Sequence, residues 1–312
     1  VREVPIILNP IAGGGRLLRH RAELDAAAHA AGVTLGWRPT SGPGHATEIA
    51  DREAANGADL VLAFGGDGTY NEVARGLLGT DTSLAVLPGG TTSVLVYEFG
   101  IPRSVSGALA CLLDGEDRVM RPGRTDRGEM VLLMVSAGPD SRVLEDIEPG
   151  LKRLGGRLGV AAGAVRELLR RRPMPRFEVR LDGEPSISAG WAIIGRSRCY
   201  AGPFHATPGA DPFGGPLEVV LQLGSGRWRA MGFAAGLPWG RHVRRGDVRV
   251  WRGTDIELRP ADPATPVAYQ IDGDPVGHLP VRVSIDSREL KVRVPRGTRP
   301  ARSVLETRKQ IG

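Results

Sequence analysis

The chain is poor in cysteine and has no long apolar run. Its 312 residues hold only Cys111 and Cys199, far apart in sequence. Two such cysteines allow no disulfide framework, no CxxC pair and no zinc-ligand spacing, and a reducing compartment is the expectation. No apolar run approaches the roughly 18 residues that a membrane-spanning helix needs, so any meeting with a membrane is expected at its surface. The opening VREVPIILNP runs straight into a strand-like segment without a signal-peptide pattern. A cytoplasmic protein, peripheral on the inner face of the membrane, is the resulting expectation. No DNA- or RNA-binding motif accompanies the basic charge, so nucleic acid is not an expected partner.

What is present is basic and globular. Lys and Arg number 41 against 35 Asp and Glu, a formal charge of +6 carried mostly by arginine. Such an excess favours acidic partners such as nucleotide phosphates or an anionic membrane surface, unless it reflects only an arginine-rich composition. Hydrophobic residues at 41% and charged residues at 24% fit a soluble globular chain. The length exceeds what one core usually fills, so one large domain or two smaller ones is expected.

The first third alternates strand and helix patterns. Strand-like runs at 4–10, 34–40, 59–66 and 83–90 are separated by helical spacing at 16–32, 44–57 and 69–78, and helical material continues to about Asp114. That order predicts a parallel sheet wrapped by helices, in which ligands sit beyond the carboxyl ends of the strands. After about residue 125 the texture changes to short strand-like runs divided by Gly, Pro and Asp, with one helical insert near 148–171. This predicts an all-β, sandwich-like second domain. The expected division is an α/β domain over 1–124, a β-sandwich over 125–295 and a tail over 296–312.

Three glycine-bearing loops fall at the carboxyl ends of the predicted strands: NPIAGGG (9–15), GGDGT (65–69) and PGGTT (88–92). Gly65, Gly66 and Gly68 allow close backbone approach and leave amide N–H groups for an anion. Thr69 opens the next helix, whose N-terminus is a ready anion site. Asp67 is the only acid in the three loops, and a carboxylate beside phosphates makes sense with magnesium between them. None of the loops is a Walker A motif, since the Lys-Ser/Thr ending is missing. Two similar acid turns come later, LDGEP (181–185) and IDGDP (271–275). Asp-Gly between alternating strands reads as a hairpin turn, and spacing alone does not separate the two.

The order NPIAGGG, FGGDGTYNEV, LPGGTTS…FGIP, AGPDSRV…KRLGGRLG and IDGDP resembles the diacylglycerol kinase catalytic-domain family, which includes bacterial lipid kinases and the sphingosine and ceramide kinases. The resemblance runs from about residue 4 to about 295. It implies a Rossmann-like α/β nucleotide-binding domain followed by a β-sandwich, with ATP and Mg2+ as cofactors. The activity implied is transfer of the γ-phosphoryl group to a hydroxyl of a membrane lipid of diacylglycerol, ceramide or sphingoid type. Carried over, Asn9, Gly13, Thr40, Gly66, Asp67, Gly68, Thr69, Asn71, Glu72 and Thr91 line the nucleotide site. The resemblance also makes IDGDP the functional turn, with Asp272 or Asp274 as the base, and leaves LDGEP an ordinary hairpin. Asp67 and Asp140 would organise metal, water and acceptor.

The chain departs from the family pattern at five positions. Ser93, Val94 and Tyr97 stand where the third loop usually has Asn, Asp and Arg. The late turn has Asp274 where Glu is usual. An Asp-Gly pair of the second domain, whose Asp helps hold a structural metal in some members, is Gly214-Gly215 here, with Asp211 three residues earlier. An NAD kinase, which shares GGDGT, and a non-catalytic lipid- or nucleotide-binding protein are the competing readings. Finally, the run 226–245 sets Trp228, Phe233 and Trp239 among Arg227, Arg229, Arg241, Arg244 and Arg245, a composition suited to a bilayer interface. The basic run at 166–176 adds to it.

Overall fold

The computed structural model describes residues 2–90, 92–146 and 174–298. Thr91, the helical insert expected at 148–171, most of the 166–176 basic run and the tail beyond residue 298 lie outside them. The chain divides into two units, one formed by Val1–Arg121 with Ser287–Pro300 and the other by Pro122–Asp286.

The first unit is an α/β layer structure. Strands β1 (Arg2–Leu8), β2 (Val33–Pro39), β3 (Leu60–Gly65) and β4 (Ser83–Pro88) run parallel in the spatial order β2-β1-β3-β4. The inner strands are continuous apolar runs because both faces are covered: Val4–Leu8 and every residue of β3 are buried. Each Val, Leu, Ile or Phe among them contributes roughly 1.5–3 kcal/mol on leaving water. The crossover helices are α2 (Arg21–Ala30), α3 (His45–Ala55), α4 (Asp67–Leu77) and α6 (Val105–Leu113), with short turns α1 (Ala12–Gly15) and α5 (Val94–Glu98) at the loops. Helix α4 shows why the pattern folds this way. Tyr70, Val73, Ala74 and Leu77 recur at helical spacing and form its buried stripe.

One strand departs from the sequence expectation. The run LKVRV, taken with the second domain, is strand β19 (Leu290–Val294) of the first sheet. It pairs parallel to β4 through Val292 and Leu84, and antiparallel to β5 (Glu116–Met120) along its whole length. Its alternation of buried Leu290, Val292 and Val294 with partly exposed Lys291 and Arg293 fits either sheet. Lys291 reaches Asp81 and Arg293 reaches Asp117, both in the first unit.

The second unit is one large antiparallel sheet folded around its own core, the β-sandwich expected. Its strands are β6 (Gly123–Thr125), β7 (Met130–Val131), β8 (Met134–Ala137), β9 (Phe177–Leu181), β10 (Ile187–Gly195), β13 (Leu217–Leu223), β14 (Val248–Gly253), β15 (Asp255–Pro260), β16 (Ala268–Ile271), β17 (Asp274–His278) and β18 (Val281–Ile285). A two-stranded ribbon, β11 (Cys199–Tyr200) with β12 (Phe204–His205), is separate. Strand β10 is the spine: it pairs with β8, β9 and β13. Val135, Phe177, Val179, Ile194, Val219, Ile256 and Tyr269 meet in the core. Helix α7 (Pro139–Asp146) follows β8, and Asp140 stands in its first turn.

Candidate active site

The loops that follow β1, β2, β3 and β4 converge at one edge of the first sheet, and their own backbones hold them there. Asn9 N–H donates to the carbonyl of Phe64 at 3.1 Å, and Thr40 N–H to that of Leu8 at 2.9 Å. The Asn9 side chain spans two loops: Nδ2 donates to Thr69 Oγ1 at 3.3 Å while Oδ1 accepts the Ile11 N–H at 3.1 Å. The glycines let the loops touch backbone to backbone. Gly13 has φ +59°, and a Cβ there would lie 2.8 Å from the Gly89 carbonyl oxygen. A Cβ on Gly90 would lie 2.6 Å from the Gly66 Cα. Neither distance is tolerable, so glycine at these positions is a packing requirement.

Two cavities open at this edge. One, of about 230 Å³, is lined by Asn9, Thr40, Gly68, Thr69 and Glu72 among others. Five of the ten nucleotide-site residues expected from sequence thus come together around it. Glu72 Oε2 accepts the N–H of Ala46 at 3.2 Å, and the Glu72 carbonyl accepts Thr47 Oγ1 at 2.8 Å, so this acid also fixes the start of α3. The other cavity, of about 390 Å³, is lined by Gly13, Gly89, Gly90, Thr92 and Ser93, and by the cations Arg16, Arg19 and Arg103. Gly13 therefore belongs to the second cavity. Gly66 abuts Gly90 of the second cavity. Asn71 is buried within α4. The sequence reading misses the three arginines; for Arg16 and Arg19 the available signal is the arginine density of GRLLRHR, 15–21, directly behind the first glycine loop.

Asp67 does not point into open space. Its Oδ1 accepts the N–H of Val94 at 2.6 Å and its Oδ2 accepts Thr92 Oγ1 at 2.8 Å, tying the second glycine loop to the third. Burial pushes its carboxyl above the ordinary aspartate range, and the hydrogen bonds from Thr92, Val94 and Leu95 pull the other way. The contact with Val94 uses backbone only, so valine at this position leaves it intact. Ser93 is left-handed at φ +42°, a conformation that asparagine adopts more readily than serine. Its hydroxyl is held by Gly90 and by the buried Tyr70, whose hydroxyl also donates to the Leu87 carbonyl at 2.7 Å. The Arg103 guanidinium lies 5.7 Å from the centre of the Tyr97 ring, so a cation stands over the residue that replaces arginine.

The remaining candidates are in the second unit. Asp140 is buried; its Oδ2 accepts the Tyr200 hydroxyl at 3.1 Å. Burial pushes its carboxyl up, against hydrogen bonds from Ser136, Tyr200 and Gln270. The Tyr200 phenol is pushed well up by its burial and by the neighbouring Asp140 charge. Asp272 and Asp274 differ sharply. Asp272 sits at φ +53° and its carboxylate accepts the backbone N–H groups of Leu132, Leu133 and Met134 at 2.8–2.9 Å. Asp274 is exposed at the start of β17. Gln270 Oε1 accepts the Gly273 N–H at 2.7 Å and steadies the turn.

The LDGEP turn joins β9 to β10 as the hairpin expected, and its first acid also reaches a distant segment. Asp182 is left-handed at φ +46°, and its Oδ1 accepts the N–H groups of Thr254 and Asp255 and the Thr254 hydroxyl, at 2.9–3.0 Å. The first acid of each turn is a backbone fastener, and the second, Glu184 or Asp274, is exposed. Among the described residues no three His, Cys, Asp or Glu side chains gather as a metal-binding group.

Comparison with known proteins gives a consistent picture. Residues 3–125 match the diacylglycerol kinase catalytic domain, and residues 133–294 match the YegS C-terminal NAD kinase beta sandwich-like domain. A diacylglycerol kinase of Mycobacterium tuberculosis is 27% identical over 309 residues, covering 95% of this chain and 96% of that protein. A protein of Pseudomonas aeruginosa named a probable lipid kinase, YegS-like, is 29% identical over 293 residues, covering 88% and 89%. The crystal structure of a diacylglycerol kinase from Bacillus anthracis strain Sterne has the same fold, with a TM-score of 0.72 at 19% identity, covering 96% of this chain and 98% of that one.

Proposed function

Because the chain belongs to the diacylglycerol kinase family of lipid kinases, phosphotransferases with an alcohol acceptor, we propose that it moves the γ-phosphoryl group of ATP to a hydroxyl of a membrane lipid. The observation that carries this reading is the convergence of four strand-end loops around two adjacent cavities, one without a cation and one cationic. The cavity beside Asn9, Thr40 and Glu72, which has no cation among the described residues of its lining, suits a nucleoside. The cavity with Arg16, Arg19 and Arg103 suits the polyphosphate. Phosphoryl transfer asks for positioning and charge neutralisation more than covalent chemistry, and backbone amides with three guanidinium groups supply both.

The donor set fits magnesium in kind. That ion takes one or two carboxylates with phosphate and water oxygens, and Asp67, the acid in these loops, accepts from Val94 and Thr92 on separate oxygens and so keeps further lone pairs for it. Bound there with ATP, it would offset phosphate charge. The resident side chains do the rest. Asp67 ties the second loop to the third, and Asn9 holds Thr69 in place. In the acid turn, Asp272 shapes the backbone and Asp274 takes the hydroxyl proton as general base, a role typically worth about 10²–10⁴-fold in rate. Asp140, buried with Tyr200, orients the acceptor side.

The acceptor is met at a bilayer surface. No helix among the described residues is long and apolar enough to cross a membrane. Trp228 and Trp239 are 79% and 72% exposed, with Arg241 and Arg244 exposed nearby in sequence. Phe233, grouped with them in the sequence, is instead core: it packs against Trp191 and His242.

The deciding experiment offers diacylglycerol, ceramide, a sphingoid base and phosphatidylglycerol in mixed micelles with labelled ATP and magnesium, with NAD as a rival acceptor. Magnesium-dependent labelling of a lipid is expected. Labelling of NAD alone would give the NAD kinase reading, and ATP binding without any transfer would give the non-catalytic one.

A further inference from the structure

The resemblance to lipid kinases implies a structural metal in the second unit, held with the help of an aspartate where this chain has Gly214. The residues present do not fit such an ion. The segment between β12 and β13 bends so that the carbonyl oxygens of Asp211, Gly214 and Gly215 converge on one nitrogen, Nη1 of Arg196, at 3.2, 2.7 and 3.2 Å. Arg196 directly follows β10 and is 2% exposed, and its own N–H donates to the Leu133 carbonyl at 2.8 Å. The Asp211 carboxylate turns back on its own loop, where Oδ1 accepts the Phe213 N–H at 3.0 Å. A Cβ on Gly214 would lie 2.7 Å from Asp211 Oδ2, so a second carboxylate there requires the Asp211 side chain to turn away.

Carbonyl oxygens brought together repel one another and call for a positive charge among them. A divalent ion answers that need with oxygen ligands; a guanidinium answers it with donors. We infer that the Arg196 guanidinium is the resident cation of this loop, standing in the place of a metal ion and making the second unit independent of divalent cations. Burial pushes the Arg196 pKa down to about 10, against the pull of Asp211, so the group stays charged at neutral pH. Its Nε and Nη2 have no hydrogen-bond partner among the described residues. Burying a charge with two idle nitrogens carries a cost, which the three carbonyl contacts and the Asp211 charge offset. Unlike a bound ion, this cation is covalent and cannot be stripped by dilution or chelation.

The test uses the nucleotide-free full chain, so that its outcome is separate from that of the kinase assay. Metal content by mass spectrometry and melting curves in EDTA, Mg2+ and Ca2+ are recorded on the wild type. The expected result is no stoichiometric divalent ion and one melting midpoint in all three conditions. One divalent ion per chain, or a midpoint that falls in EDTA and returns with metal, would overturn the inference. Arg196→Met is expected to lower the midpoint in every condition, and an unchanged midpoint would equally refute it. Should that variant not fold, the wild-type measurements still decide. In Arg196→Met/Gly214→Asp the midpoint is expected to rise with Mg2+ or Ca2+ and fall with EDTA; indifference to both would show that the two cations are not interchangeable here.

Discussion

Asp272 donates its backbone N–H to the carbonyl of Met134 at 3.0 Å and accepts the Met134 N–H on its own carboxylate at 2.9 Å. Asp182 makes the same exchange with Asp255, at 2.8 and 2.9 Å. Each turn is therefore sewn to the start of a neighbouring segment by its first acid. Asp272→Asn is expected to lower stability, because both its oxygens accept and an amide NH2 then faces a backbone donor; Asp182→Ala, which removes the one accepting oxygen of that turn, is expected to lower it too. Leaving buried donors unpaired costs about 1–3 kcal/mol. The larger loss belongs to Asp272, whose two oxygens both accept. Denaturant melts of the two variants check this, and a silent Asp182→Ala would show that its contacts add nothing to the LDGEP turn.

The second acids carry the functional contrast. Asp274→Asn is expected to cut turnover by about 10²–10⁴-fold, the usual worth of a general base, with a normal melt. Glu184→Gln is expected to change neither, since exposed substitutions away from special contacts stay within about ±0.5 kcal/mol. Equal activity in the two variants would remove Asp274 from the mechanism.

Asp67→Asn tests the nucleotide edge. The amide oxygen still accepts from Val94 N–H, and its NH2 still reaches the Thr92 hydroxyl as a donor, so the third loop keeps its place. The charge is gone. Loss of one preorganised electrostatic contact typically costs about 10²–10³-fold in rate, and a drop of that size with the melting midpoint retained is expected. Activity near wild type, with the usual magnesium dependence, would show that Asp67 is only a loop fastener.

Asp140 gives a pH signature. Burial raises its pKa in the folded state, so the folded chain holds this proton more firmly than the unfolded chain. That linkage favours folding in acid and is lost as pH rises from the ordinary aspartate range through the folded pKa. Asp140→Asn removes the buried charge. Its midpoint is therefore expected to exceed the wild type at pH 7.5, with the gap closing as pH falls toward 4, while activity drops. A gap that widens in acid would mean that the ionised carboxylate stabilises the fold.

Much of this was legible in the sequence, for physical reasons. Inner parallel strands are buried on both faces, so VPIIL and LVLAFG read as unbroken apolar runs, and the glycine loops between them and their helices mark the ligand edge. Where legibility failed, local pattern was the same for both answers. The alternation of LKVRV fits any half-buried strand, and only pairing with β4 and β5 assigns it to the first sheet. Asp-Gly announces a turn but not the three amides that Asp272 collects from about 140 positions away, nor the two that Asp182 collects from about 70. Arg196 carried no local signal at all; its role comes from three carbonyls 15 to 19 residues downstream.

The membrane prediction is sharpened by what the arginines already touch. Arg245 is paired with Asp247 through two contacts of 2.9 and 3.0 Å, and Phe233 is fully buried. Neither is available to a bilayer. Trp228, Trp239, Arg241 and Arg244 are exposed. Indole rings settle at headgroup depth, and each basic residue near an anionic surface contributes about 1 kcal/mol. Arg241→Gln with Arg244→Gln is thus expected to weaken binding to anionic vesicles by about 30-fold, two such contributions, and Arg245→Gln to leave it unchanged. Trp228→Ala with Trp239→Ala is expected to weaken binding even at high salt, where the arginine contribution is screened. Vesicle sedimentation at low and high salt separates the two contributions. Binding that ignores salt, or that falls as much with Arg245→Gln as with the Arg241 and Arg244 pair, would place the docking face elsewhere.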